Sequence, residues 1–274
     1  MNKWDYGEAY KRYPCETGTI TFQNGSKLKV HDIFEPLPDF MKEADLVFTD
    51  PPWNMGNLST FYTKADMEHP EKTYEEFYKR LFECIQEIQP NTCYVEVGKE
   101  NIARFIIEME ALFPYVTFYN STYYHKRENI CYVVRGSRMR TKPKLDYMDE
   151  KNIIEWVCQN EEYDCVADLC MGRGLVAEYA FRAGKRFVGT ELNHKRLSVC
   201  IEKIMQLGES MNRIREARLA KGLTQKQLGE LMGVSPTHVQ KWEYGLTPNA
   251  KNLNKLSQVL GIPMEDLIVQ KKEP

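Results

Sequence analysis

The residues best suited to chemistry are Asp50, Pro51, Pro52 and Trp53, which end and follow the apolar run ADLVFTD. The run predicts a strand, and ligands of open α/β sheets bind at the carboxyl ends of strands. The prolines fix φ and leave the preceding carbonyls free to accept hydrogen bonds, while the indole offers a flat face for a base. A tight turn with one packed aromatic is the alternative. The preceding strand and the following Asn54 favour a functional corner.

A second candidate site is the segment DLCMGRG, from Asp168 to Gly174. It follows the run CVADLC, which predicts a strand, and precedes GLVAEYAFRAG, which predicts a helix. Glycines at such a turn let a ligand approach the backbone, and the helix N-terminus favours anionic groups. The next predicted strand, RFVGTEL, ends in Glu191, and an acid at this place commonly accepts hydrogen bonds from ribose hydroxyls. The combination indicates a nucleotide-like ligand.

The elements that position these residues alternate between strands and helices. The runs rich in β-branched and aromatic residues are KLKVHD, ADLVFTD, CYVEVG, YVTFYNSTYY, NICYVVRG, CVADLC and RFVGTEL, and the helical stretches are TYEEFYKRLFECIQEIQ, ENIARFIIEMEALF, EKNIIEWVCQN and GLVAEYAFRAG. This alternation predicts an α/β fold with a Rossmann-like, mainly parallel sheet and helices on both faces. Because no helix separates the runs at 115–124 and 130–136, we expect them to form an antiparallel hairpin. The polar segment 54–72 is expected to be a long loop, which could close over a flipped base or simply be mobile.

The C-terminal segment has a different pattern, which predicts a small all-α domain. Helices are expected at Arg213–Ala220, at Gln225–Met232 after the cap Thr224, from Ser235 to Gly245, at Asn252–Leu260 and at Met264–Ile268. The apolar residues expected to close its core are Leu228, Leu231, Val234, Val239 and Trp242. We therefore predict two domains, residues 1–210 and 211–274.

Composition and charge distribution exclude several classes of protein and of site. The 274 residues carry a net charge of −2, with about +4 in residues 212–274 and −6 in the rest, so a nucleic acid must be attracted by the tail and by local patches. No apolar stretch reaches ~18 residues and no apolar run follows the N-terminal charges, so we expect no membrane helix, no secretory signal and a cytoplasmic location. The eight cysteines form no CxxC pair and the five histidines no cluster, which predicts reduced thiols, mostly buried, and no metal site.

Over residues 27–205 these motifs resemble the S-adenosylmethionine-dependent amino-methyltransferases that act on nucleic-acid bases. Asp-Pro-Pro-Trp is similar to that family's catalytic motif, and DLCMGRG with VGTEL to its cofactor motif. The catalytic motif comes first, as in the circularly permuted order of many bacterial adenine methyltransferases. Leu169-Cys170 replaces the family's usual Pro-Phe, and Arg173 replaces a small residue. The resemblance implies cofactor contacts at Asp32, Asp50, Lys142, Pro143, Asp168, Cys170, Met171, Gly172, Gly174, Glu191 and Asn193, and catalytic roles for Asp50, Pro51, Pro52 and Trp53.

The implied reaction is methylation of the exocyclic 6-amino group of adenine in double-stranded DNA. Asp50 and the Pro51 carbonyl would accept the hydrogens of the amine, and the flipped base would stack on Trp53. Asp32 would contact the cofactor adenine and Glu191 its ribose. The 4-amino group of cytosine and adenine in RNA remain alternatives, and the source, whether a restriction enzyme accompanies the protein, and its DNA site are open. A transcriptional regulator with a degenerate or cofactor-sensing body, acting as a homodimer, is an alternative of another class.

The tail resembles the lambda-repressor-like helix-turn-helix family at Gln225, Leu228, Gly233, Val234, Ser235, Trp242, Glu243, Gly245 and Pro248. The resemblance implies that its third helix enters the DNA major groove. The DNA contacts expected from it are Gln225, Ser235, Thr237, His238, Gln240 and Lys241. A domain for dimerisation or protein contact is the alternative. Two basic groups, at 135–144 and 125–127, are either further phosphate contacts or solvated loops.

Overall fold

The computed structural model describes residues 6–126, 128–243 and 248–267. The described residues divide into two compact units, one within 6–180 and 185–201 and the other within 181–184 and 202–267. The strands are β1 (Thr19–Thr21), β2 (Lys27–Val30), β3 (Leu46–Thr49), β4 (Thr92–Val97), β5 (Tyr115–Thr122), β6 (Ile130–Ser137), β7 (Met148–Asp149), β8 (Cys165–Asp168) and β9 (Arg186–Glu191). The helices are α1 (Ala9–Arg12), α2 (Met55–Ala65), α3 (Tyr74–Ile88), α4 (Ile102–Leu112), α5 (Glu150–Asn160), α6 (Leu175–Arg182), α7 (His194–Ala220), α8 (Gln225–Met232), α9 (Pro236–Glu243), α10 (Ala250–Leu260) and α11 (Met264–Leu267), with a 3₁₀ helix at Asp39–Glu43.

The first unit is built on one mixed sheet with the strand order β1-β2-β9-β8-β3-β4-β6-β5-β7. The central strands β2, β9, β8, β3 and β4 are parallel, and β6 runs antiparallel to both β4 and β5. Every residue of β3, β4 and β8 is buried, as expected of parallel strands covered on both faces. The predicted α/β fold and the β5–β6 hairpin are confirmed.

The helices that were predicted to cover this sheet form where the sequence indicates. Helix α3 begins with a capping box, in which Thr73 accepts from the Glu76 backbone N–H and Glu76 accepts in return. Its apolar stripe, including Phe77 and Leu81, packs with Phe105 of α4 in one buried cluster. This cluster holds the sheet under the ends of β3 and β4.

Two expectations about helices are wrong. Residues 55–65 form α2 rather than a loop, because Asn54 caps its N-terminus and Leu58, Tyr62 and Ala65 bury one helical face. Residues 213–220 do not form a separate helix but complete α7, since the only helix-weakening residue before them is Gly208. Helix α7 therefore continues past residue 210, where the sequence predicts the boundary between the two domains. That domain boundary stays a prediction.

The second unit contains the predicted helices α8, α9 and α10 around a small core that includes Leu228, Val239 and Trp242. Leu231, expected in this core, is 51% exposed, because it lies on the outer face of α8. Gly245, Arg127 and Ile268, at which the sequence predicted a helix end, a basic hairpin tip and the end of the last helix, lie outside the described residues. None of the described helices is long and apolar enough to cross a membrane.

Candidate active site

The predicted site residues gather at the carboxyl edge of the sheet. Strands β8 and β3 are parallel neighbours, and the chain continues from β8 to β9 on one side and from β3 to β4 on the other. Such a reversal of strand order opens a crevice between the strand ends, where ligands of α/β sheets bind. Asp168 ends β8 and Asp50 follows β3, so both carboxylates lie at this crevice.

The corner after β3 is held by residues from three other elements. The Tyr74 hydroxyl at the start of α3 donates to the Pro52 carbonyl at 2.9 Å. The Asn101 side chain, just before α4, donates to the Trp53 carbonyl at 2.7 Å. The Trp53 ring packs over Gly98 after β4, where an added Cβ would lie 2.9 Å from the ring. These contacts fix the backbone of the corner.

Two hydrogen-bond acceptors at this corner are left open. The Trp53 indole Nε1 donates to Asp50 Oδ1 at 2.9 Å. Within the described ranges, Asp50 Oδ2 and the Pro51 carbonyl receive no hydrogen bond. Both of these oxygens can therefore accept a hydrogen bond from a ligand, whereas the Pro52 and Trp53 carbonyls are already bonded.

Asp50 is surrounded by protein although solvent reaches its carboxylate. Crowding by the protein raises its pKa to about 7, and the Glu150 carboxylate adds to the rise. The Trp53 hydrogen bond and the charge of Arg196 act in the opposite direction. Because the side chain is exposed, water limits the rise. Asp50 therefore titrates close to neutral pH.

The glycine segment between β8 and α6 is tightly folded onto its neighbours. Burial raises the pKa of Asp168 to about 7, although the Cys170 N–H donates to its carboxylate at 3.1 Å. Gly174 has φ +73°, and an added Cβ would lie 2.1 Å from the Cys200 sulfur on α7. From the sequence, we expected both Gly172 and Gly174 to be glycines so that a ligand could approach the backbone. The contact with Cys200 already explains why position 174 has no side chain.

Glu191, at the end of β9, receives two backbone hydrogen bonds. Gly172 N donates to one carboxylate oxygen at 2.6 Å and Asn193 N to the other at 3.0 Å. The Asn193 side chain in turn caps α7 by accepting from the Lys195 N–H at 2.9 Å. Each Glu191 oxygen keeps one lone pair for a further donor such as a hydroxyl.

Asp32, after β2, lies on the wall of a cavity of about 450 Å³ that also reaches His31, Met67 and Leu192. The Tyr62 hydroxyl of α2 donates to the Asp32 carboxylate at 2.7 Å. Leu192 directly follows Glu191 in the chain. The volume of the cavity is within the range of small-molecule sites, about 300–1,000 Å³.

Other predicted cofactor residues are not all brought to this edge. Lys142 lines a second cavity, of about 490 Å³, together with Tyr115 at the start of β5 and Arg140. Because β5 begins at the amino edge of the parallel strands, this cavity lies away from Asp168, and the structure does not bring Lys142 to the crevice. The role of Pro143 stays a prediction. Cys170 and Met171 do lie in the segment after β8, Met171 fully buried.

Several groups at the site are not evident from the motifs. Tyr123 lies edge-on to Trp53, with ring centroids 5.3 Å apart, and the exposed Tyr124 lies beside Tyr123. His125 N donates to Asp149 at 2.8 Å at the hairpin tip. Of the basic group at 135–144, Arg135 is buried, so it contacts no phosphate at the surface. The aromatic run YYH, at the end of the strand predicted for residues 115–124, was the signal that could have identified this tip.

The helix-turn-helix unit presents part of the predicted DNA-contacting set. Ser235 caps α9 by accepting from the His238 N–H at 3.2 Å, and Thr237 and His238 are exposed. Gln240 and Lys241 are partly exposed on the same helix. The Gln225 side-chain Nε2 donates a hydrogen bond to the Glu243 carboxylate at 2.9 Å, so this amide is already bonded within the protein.

A buried ion pair orients α9 within this unit. Arg218 of α7 pairs with Glu243 of α9, and both side chains are buried. Arg218 also donates to the Leu223 carbonyl at 2.5 Å. The pair fixes the end of α9 against the end of α7, which sets the direction in which the α9 side chains point.

The helix-turn-helix family model matches residues 214–267, which identifies this segment as a helix-turn-helix domain. No curated protein matches the chain in sequence. Among solved structures, the chain is similar to the M1.HpyAVI–SAM complex, with 12% identity over 64% of this chain and 97% of that one and a TM-score of 0.46. It is also similar to the PvuII DNA methyltransferase, described as cytosine-N4-specific, with 10% identity over 92% and 97% and a TM-score of 0.46.

Proposed function

We propose that the chain transfers a methyl group from S-adenosylmethionine to the exocyclic 6-amino group of adenine in double-stranded DNA. The observation that carries this proposal is the pair of open acceptors at the corner, Asp50 Oδ2 and the Pro51 carbonyl. An exocyclic amine has two hydrogens, and two acceptors held on one rigid turn suit it. The carbonyls of Pro52 and Trp53 are already bonded by Tyr74 and Asn101.

The chemistry follows from this geometry. The lone pair of the amine is delocalised into the ring, so the nitrogen is a poor nucleophile until it becomes tetrahedral. By accepting both hydrogens, Asp50 and Pro51 favour that geometry and aim the lone pair at the methyl carbon. The bound cofactor would supply the methyl group, and its sulfur would keep the electron pair of the carbon–sulfur bond that breaks. Asp50 then takes the proton that the nitrogen loses and passes it to solvent, a task suited to a pKa near 7.

The residues along the crevice fit the cofactor. When bound, S-adenosylmethionine supplies an electrophilic methyl group on a sulfonium. The cavity beside Asp32 would hold its adenine, the remaining lone pairs of Glu191 its ribose hydroxyls, and the segment from Asp168 to Gly172 its methionine part. The negative charge of Asp168 attracts the positive sulfonium.

The choice of DNA rests on the second unit. A helix-turn-helix reads duplex DNA through the major groove, whereas the major groove of A-form RNA is too deep and narrow. We propose that Thr237, His238, Gln240 and Lys241 of α9 meet the DNA and target methylation or regulate the protein's own gene. Adenine is inferred from the Asp-Pro-Pro-aromatic motif, and the cytosine 4-amino group has the same two hydrogens.

The test is methyl transfer from tritiated S-adenosylmethionine to unmethylated duplex DNA, followed by nucleoside analysis. Label in 6-methyladenosine supports the proposal. Label in 4-methylcytosine keeps the mechanism and replaces the base, and label in RNA alone replaces the substrate. No transfer to any of these nucleic acids would overturn the proposed activity.

The second candidate is a transcriptional regulator with an inactive body. It is favoured by one observation: the packing of Gly174 against Cys200 explains that glycine without any ligand. This candidate predicts specific, cofactor-independent binding of a palindromic operator by a dimer and no methyl transfer. Operator binding together with transfer would show that both roles coexist.

A further inference from the structure

Glu96 is a buried carboxyl group that the proposed mechanism does not use. It lies in β4 and is only 1% exposed. In the parallel pairing of β3 and β4 the last partners are Thr49 and Val95, so Glu96 is next in register to Asp50. A carboxyl group placed in a fully buried strand, beside the corner that meets the substrate, calls for an explanation.

The polar contacts of Glu96 are incomplete. Its Oε1 has no hydrogen-bond partner in the described part of the chain. The Cys131 thiol of β6 lies near the carboxyl group, and Cys131 is paired with Ser121 of β5. A thiol is a weak donor and would satisfy an ionised carboxylate poorly.

The charges around Glu96 do not favour its ionisation. Asp50 lies at the end of β3, and Asp149 and Glu150 lie at the start of α5, so the carboxylates facing it are of like charge. His125 pairs with Asp149 rather than with Glu96. Among the described residues no Lys or Arg forms an ion pair with Glu96. Burial first, and then the charges of Asp50 and Glu150, raise the pKa of Glu96 well above its usual range.

We propose that Glu96 is a positioning residue that keeps its proton beside Asp50, so that the pair presents a single negative charge, on Asp50, to the substrate amine. Two carboxyl groups this close in a poorly solvated site do not ionise independently. The more buried member keeps the proton, and the member that solvent reaches carries the charge. This inference rests on the proposed function, because the charge on Asp50 matters only if a substrate amine binds there.

The arrangement has a consequence for the reaction. With Glu96 neutral, Asp50 is an anionic acceptor at neutral pH, and it alone exchanges the released proton with solvent. If Glu96 also ionised, a second negative charge would repel DNA phosphates and would hold the cationic, newly methylated nitrogen. Ionisation of Glu96 should therefore slow turnover on the alkaline side.

The first experiment compares the pH dependence of methyl transfer in the wild-type protein, Glu96→Gln and the control Glu110→Gln on the exposed face of α4. We expect the wild type and the control to lose rate at alkaline pH. Glu96→Gln, which stays neutral at every pH, should keep its rate there and lie within about threefold of the wild type at pH 7. An unchanged alkaline fall in Glu96→Gln would overturn the proposal. So would a hundredfold loss at neutral pH, because Glu96 would then take part as an ionised group.

The second experiment does not depend on methyl transfer. Infrared spectroscopy separates the carbonyl stretch of a protonated carboxylic acid from the bands of a carboxylate. As the pH is raised past the titration of Asp50 and Asp168, we expect a carboxylic-acid band to remain in the wild type that is absent from Glu96→Gln and disappears at higher pH. Absence of such a band from the wild type once Asp50 and Asp168 have ionised would contradict the proposal even if Glu96→Gln failed to fold. A clear band in a protein without methyl transfer would locate the failure in the proposed function instead.

Discussion

Replacing Trp53 by phenylalanine separates the two things that this side chain does at the corner. The ring that packs over Gly98 is largely kept, whereas the N–H that donates to Asp50 Oδ1 at 2.9 Å is lost. That hydrogen bond stabilises the ionised carboxylate, so it lowers the pKa of Asp50. Its removal must raise the pKa, and methyl transfer, which needs the ionised form, should then require a higher pH.

The size of the effect can be worked out. A hydrogen bond to a charged group contributes about 1.5–3 kcal/mol, and screening at this exposed carboxylate reduces that to about 1 kcal/mol. Since 1.36 kcal/mol corresponds to a shift of one pKa unit, the loss of about 1 kcal/mol should raise the pKa of Asp50 by about 0.7 units. Starting from a pKa of about 7, the ionised fraction at pH 7 falls from about one half to about one sixth.

The assay is the single-turnover rate of methyl transfer as a function of pH. For Trp53→Phe we expect about threefold slower transfer at pH 7 and a rate close to that of the wild type at pH 9. The matched control is Trp156→Phe on α5, which should leave the acid limb unchanged. An unchanged acid limb in Trp53→Phe would refute the reasoning. An equal loss at every pH would also refute it, since the indole would then act through its ring and not through its N–H.

Three further changes test the scaffold by thermal and urea unfolding. Gly174→Ala should destabilise the protein by more than about 2 kcal/mol, because its φ is +73° and the new Cβ would meet the Cys200 sulfur; a stability equal to the wild type would contradict this packing. Arg218→Met should cost about 3–5 kcal/mol by leaving Glu243 buried without its partner, and an additional Glu243→Leu should recover much of the loss. Thr224→Ala removes the cap of α8 and should cost about 1 kcal/mol; no change would show that the capping box contributes nothing.

The sequence was sufficient for the fold class because the buried parallel strands are continuous apolar runs and the covering helices have clear apolar stripes. It failed at α2, where the polar composition of residues 54–72 concealed the spacing of Leu58, Tyr62 and Ala65. It also failed at residue 213, where a helix was expected to begin. Local signals place helix ends poorly when nothing between two helical segments stops the first.

The candidate site was predicted in part for a related reason. Asp50 and Asp168 are found from motifs, because each follows its own strand directly. Tyr74 and Asn101, which bond the carbonyls of the corner, come from distant elements, and no local pattern connects them to it. Glu96 had a signal, an acid inside the apolar run CYVEVG, but only the pairing of β3 with β4 puts it beside Asp50.

The central claim is that the Asp50 corner is where the amine is methylated. It is tested most directly by measuring cofactor binding and methyl transfer on the same preparations of the wild type, Asp50→Ala and a control, Asp39→Ala, in the exposed 3₁₀ helix. The account predicts that all three bind S-adenosylmethionine with similar affinity and that Asp50→Ala alone loses transfer, by about a thousandfold or more. Transfer by Asp50→Ala at the wild-type rate would contradict it.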